Sequence, residues 1–125
     1  MRLRAIVPIV VLAICGVMAV AATAADRTPT KVTIKALPGG DYAGQVKSDK
    51  PRCADGRTVY LYKLLGERPK PKNDQLIAMD TSEKDGSKYR WSTGNTGQRK
   101  GKFYAKVRKT DKCGGDISDV VRAME

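Results

Sequence analysis

The sequence predicts an all-β domain, a seven-stranded Greek-key sandwich pinned by one disulfide, and three observations lead there. Past residue 25 the chain runs as short alternating segments punctuated by Gly, Pro, Asp and Asn, the rhythm of a sandwich. No competing helical pattern interrupts it. Of three cysteines, Cys15 falls in an apolar N-terminal run, which leaves Cys53 and Cys113 as a matched pair.

Taken in order, residues 1–25 have the layout of a secretory leader. Arg2 and Arg4 supply the charged start, residues 5–20 an uncharged apolar core, and Ala22-Thr23-Ala24 a small-x-small pattern that places cleavage near Ala25 or Asp26. The expected location is outside the cell or in its envelope, with no transmembrane helix once the signal peptide is removed. A retained anchor is the competing reading, because an apolar stretch of about 20 residues spans a bilayer. Pro8 and the Ala-rich end favour removal. Residues 26–125 then form one domain with one modest core, expected to be a monomer.

The strands are expected at 31–36, 42–48, 58–65, 75–81, 88–93, 102–110 and 117–124. Turn-rich stretches separate them: Pro38-Gly39-Gly40, residues 48–51, residues 66–74 with Pro69 and Pro71, Asp85-Gly86, and residues 94–97. Alternation puts Tyr42, Gly44 and Val46 on one face, and likewise Val59 with Leu61, Tyr89 with Trp91, and Phe103 with Ala105 and Val107. These sets are the expected core, with Trp91 inside it rather than serving as a ligand platform.

In an oxidising compartment Cys53 and Cys113 read as a disulfide. Closing a loop of about 60 residues stabilises by about 4 kcal/mol in the chain-entropy model, against a net stability of ~5–15 kcal/mol for a small domain. No C-x-x-C motif argues for redox chemistry, and with no His and two remaining thiols the usual four zinc ligands are lacking.

Several segments together resemble one family. Tyr42-Ala43-Gly44-Gln45-Val46-Lys47-Ser48 resembles the aromatic-x-Gly-x-Val-x-Ser strand of the transthyretin-like, carboxypeptidase-regulatory-like sandwich modules, which occur as small secreted bacterial domains. Cys53 followed by Gly56-Arg57-Thr58-Val59-Tyr60-Leu61-Tyr62 resembles the next strand of that family, and Asp80-Thr81 with Asp85-Gly86 and Trp91 its central hairpin. Gly101-Lys102-Phe103-Tyr104-Ala105-Lys106-Val107 leading to Cys113 resembles its penultimate strand, so the likeness covers roughly residues 32–122. It implies a transthyretin-like or immunoglobulin-like sandwich of seven or so strands with a binding or structural accessory role. It carries no shared active site.

Cys53 precedes the third expected strand and Cys113 follows the sixth, so the bond joins two loops at one end. In Greek-key sandwiches those strands are commonly antiparallel neighbours. Tyr60 and Tyr62 then lie beside Tyr104, Lys106 and Arg108 on a solvent-facing sheet surface. Aromatic faces stack on sugars or bases while cations hold carboxylate, sulfate or phosphate, so these five residues are the candidate ligand-binding set, suited to an anionic glycan, a cell-surface polymer or a nucleic-acid strand. The plainer reading is an ordinary amphipathic outer face, with Tyr supplying β-propensity and the cations preventing aggregation.

Without the leader, 22 basic side chains face 13 acidic ones, an excess near +9 that favours anionic partners and also keeps a small secreted protein soluble. Residues 97–102 superficially resemble a phosphate loop, but the spacing is one residue short and no Ser or Thr follows Lys102. Asp80, Ser82 and Asp85-Gly86 hint at a calcium loop, yet Lys84 stands where an oxygen ligand belongs, so a hairpin turn is expected. Lacking His and paired carboxylates, the chain offers no catalytic residue, no metal site and no cofactor site. The expected function is a secreted, non-enzymatic binding or structural module. The alternative is an inhibitor or accessory subunit that docks on a partner protein through the loops at the disulfide end.

Overall fold

A computed structural model describes residues 26–125, and the leader expected over residues 1–25, with Cys15, lies outside them. In chain order the elements are β1 Thr30–Val32, β2 Lys35–Leu37, β3 Asp41–Ser48, α1 Pro51–Ala54, β4 Thr58–Lys63, β5 Gln75–Thr81, β6 Glu83–Asp85, β7 Lys88–Asn95, β8 Lys102–Val107, β9 Asp116–Ile117 and β10 Val121–Arg122. The first sheet runs β1-β3-β7-β6 with β2 also on β3, and the second runs β10-β8-β4-β5 with β9 also on β8. Every pairing within them is antiparallel.

The two sheets share one core because their alternating apolar residues face each other. Val32, Tyr42, Val46 and Trp91 come from the first sheet, and Val59, Leu61, Phe103, Ala105 and Val107 from the second. Tyr42 and Phe103 bridge the sheets with ring centroids 4.6 Å apart. The Tyr42 hydroxyl donates to the Gln98 carbonyl at 2.8 Å, and burial pushes its pKa up to about 12. Of the expected core residues, Gly44 and Tyr89 depart: each is only half-buried.

Where seven strands were expected, the structure has ten segments, and polar groups account for three of the breaks. The expected strand at 31–36 divides at Thr33, whose carbonyl accepts the Trp91 indole N–H at 3.0 Å. Gly44 lies across from it; a Cβ there would overlap the Thr33 carbonyl and crowd the indole nitrogen. Ser82 separates β5 in the second sheet from β6 in the first. Its buried hydroxyl donates to the Ala54 carbonyl at 2.6 Å and accepts the Arg57 N–H at 2.9 Å. The expected strand at 117–124 is interrupted at Ser118, whose hydroxyl accepts the Ala105 N–H at 2.8 Å and so replaces a ladder bond. Strand β6 escaped prediction because Glu83-Lys84-Asp85 has no apolar alternation; it forms by pairing with β7 across the turn at Gly86, whose φ of 64° suits glycine.

The remaining departure is α1, a single turn where only a loop was expected. Pro51 opens it, as a residue with no N–H to satisfy can, and it buries Cys53 and Ala54. Cys53 bonds to Cys113, the predicted disulfide. No helix of the described residues is long and apolar enough to cross a membrane.

Candidate binding face on the second sheet

Strands β4 and β8 are antiparallel neighbours, which sets Tyr60 opposite Lys106 and Tyr62 opposite Tyr104. Cross-strand partners share a face, so all four side chains leave the sheet on the side away from the core. The ladder continues outward on both flanks, Met79 facing Tyr60 and Ile117 facing Lys106. One row, Met79-Tyr60-Lys106-Ile117, therefore crosses four strands.

Two of the five expected ligand-binding residues are not available as expected. Tyr62 and Tyr104 are buried, at 5% and 0% exposure, and their rings stack with centroids 5.4 Å apart. The connection from β4 to β5 is fastened beside them by one carboxylate. Asp74 accepts the Tyr104 hydroxyl at 2.6 Å, the Leu65 N–H at 3.0 Å and the Lys70 N–H at 2.7 Å. Burial alone would raise the Asp74 pKa, but these bonds outweigh it and hold the carboxyl below its usual range. Burial, reinforced by the Asp74 charge, pushes the Tyr104 hydroxyl up. The solvent-facing aromatic platform is thus corrected to a small secondary core beside the strap of residues 64–74.

Tyr60, Lys106 and Arg108 do come together at the surface. The Arg108 guanidinium lies over the Tyr60 ring, 4.1 Å from its centroid, within cation–π range. Beside it a depression of about 790 Å³ is lined by Lys106, Val107, Arg108, Lys109, Gly115, Asp116 and Ile117. Its one carboxylate, Asp116, accepts the Val32 N–H at 2.8 Å. Lys106, Arg108 and Lys109 have no acidic partner among the described residues, where Arg90 and Asp85 form the one salt bridge.

The position of Arg108 is set from below by a residue the sequence reading treated only as part of a motif. Arg57 is 6% exposed. Its guanidinium donates to the carbonyls of Cys53 at 2.9 Å, Arg108 at 2.7 Å and Gly114 at 3.0 Å, and to the Thr30 hydroxyl at 3.1 Å. Desolvation lowers its pKa from an ordinary value so high that it stays a cation. Sequence reasoning also missed Leu76, Met79, Ile117 and Lys109 at this face. The apolar run of β5 was visible, but its register against Tyr60 was not.

A second cleft, of about 640 Å³, lies where β2, β3 and β7 meet the β5–β6 bend; three of its six charged side chains are engaged, Arg90 with Asp85 at 3.0 Å and Asp80 as acceptor of the Ser92 N–H at 2.7 Å. Among the described residues, no three His, Cys, Asp or Glu side chains gather to hold a metal ion. No protein-family model matches the chain, and no curated protein matches it.

Proposed function

We propose that the protein is an exported, non-catalytic binding module, a seven-stranded Greek-key sandwich of the transthyretin-like kind, that holds an anionic ligand on the outer face of its second sheet. One observation carries this reading: Lys106, Arg108 and Lys109 line one surface depression, Arg108 lying over the neighbouring Tyr60 ring, and none of the three has an acidic partner among the described residues. Unpaired cations gathered beside an aromatic ring attract an anionic group and hold it with charge-assisted hydrogen bonds. Two antiparallel sheets that enclose one shared apolar core support the sandwich. Export is supported by the leader-like residues 1–25 and by the disulfide.

The test is retention on immobilised heparin, a generic polyanion, across a salt series. Lys106→Glu with Arg108→Glu is compared with Lys31→Glu and Lys47→Glu, an exposed cross-strand pair in the first sheet that changes net charge equally. The first pair is expected to lower the eluting salt concentration far more and to flatten the salt dependence. Equal losses would mean that net charge alone governs retention.

A further inference from the structure

The face that gathers these cations is also the most apolar exposed surface of the second sheet. Of the six exposed large apolar side chains among the described residues, Met79 at 60%, Leu76 at 45% and Ile117 at 40% lie here. Leu76 shares the face because it pairs with Tyr62. Met79 and Ile117 end the row that has Tyr60 and Lys106 at its centre, and Ile117 lines the depression beside Arg108. Apolar residues grouped and rimmed by cations mark an interaction surface rather than ordinary exposure.

We infer that the partner is an acidic protein segment with interleaved apolar side chains, seated across the Met79-Tyr60-Lys106-Ile117 row. This rests on the reading that the second sheet's outer face holds the ligand. A sugar chain would need a free aromatic face, and none of the three rings on this side supplies a good one. Tyr62 and Tyr104 are buried, and Tyr60 has the Arg108 guanidinium over it. Leu76, Met79 and Ile117 instead match the apolar side chains of a peptide, while Lys106, Arg108 and Lys109 match its carboxylates. A stacked Tyr and Arg, flanked by apolar neighbours that exclude water, is also the composition in which protein interfaces concentrate binding energy.

Three probes separate the possibilities by titration at one salt concentration: a peptide alternating Glu with Leu, a peptide of equal length and charge alternating Glu with Ser, and a polyuronate chain. The Glu-Leu peptide is expected to bind about tenfold more tightly than the Glu-Ser peptide, since even partial burial of one or two leucines suffices for that ratio. Met79→Ser with Ile117→Ser brings it down to the Glu-Ser value. Both positions are exposed, so the variant keeps the core, and an unchanged melting curve verifies this. Equal binding of the two peptides, or a polyuronate that binds as tightly as the Glu-Leu peptide, overturns the inference while leaving an anion-binding face intact. If Lys106→Glu with Arg108→Glu alters the binding of no probe, the face itself is wrong.

Discussion

Gly44 and Arg57 each sit among neighbours that leave little room for change. A Cβ at Gly44 meets the Thr33 carbonyl, which is fixed by the Trp91 indole, so neither side can yield cheaply. Gly44→Ala is expected to lower stability by about 1–3 kcal/mol, the usual cost of overpacking, measurable by urea unfolding. Arg57→Met should cost more, about 3 kcal/mol, because three carbonyls, that of Cys53 buried and those of Arg108 and Gly114 partly buried, lose their donor. Arg57→Lys should recover only part of this, since an ammonium cannot span the same fork. The Gly44 position was legible from the alternation Tyr42, Gly44, Val46. The burial of Arg57 was not, because a cation between Gly56 and Thr58 reads as a solvated turn until the 108–114 segment folds against it.

Among the elements, the strap between β4 and β5 responds to pH through Asp74. Its folded pKa is depressed, so the stabilisation is present above the unfolded carboxyl value of about 3.9 and is lost as pH falls through the lower folded value. Stability should therefore fall below about pH 4, and Asp74→Asn should flatten that part of the profile. At neutral pH the same substitution is expected to cost about 1 kcal/mol and to raise the quenchable fraction of tyrosine fluorescence as Tyr62 and Tyr104 gain access to solvent. Strand limits were legible where an apolar run lies between turn-rich stretches, β5 at Gln75–Thr81 to the residue. What sequence could not reveal was that the connection of residues 64–74, with Pro69 and Pro71, would lie against an outward aromatic pair. Nothing local distinguishes a latching Asp74 from an ordinary loop acid.

At the scale of the whole molecule, the disulfide and the Arg57 clamp fasten the same end: Cys53 bonds Cys113, while Arg57 holds the carbonyls of Cys53 and Gly114. Replacing both cysteines by Ala should leave a folded protein, less stable by about 4 kcal/mol on the chain-entropy estimate, as read from its denaturation midpoint. The all-β class and the disulfide were legible because alternation and cysteine number are whole-chain properties. The make-up of the binding face was legible only in part, since it depends on four-strand register and on which loop covers which ring.

A proton–nitrogen correlation spectrum of the labelled protein, titrated with the acidic Glu-Leu peptide, tests the binding face most directly. The amides expected to shift are those of Tyr60, Met79, Lys106, Arg108 and Ile117, with the first sheet silent. Shifts concentrated instead at Arg52 in α1 and at Asp111 and Lys112 in the loop at the disulfide end would contradict a ligand held on the second sheet.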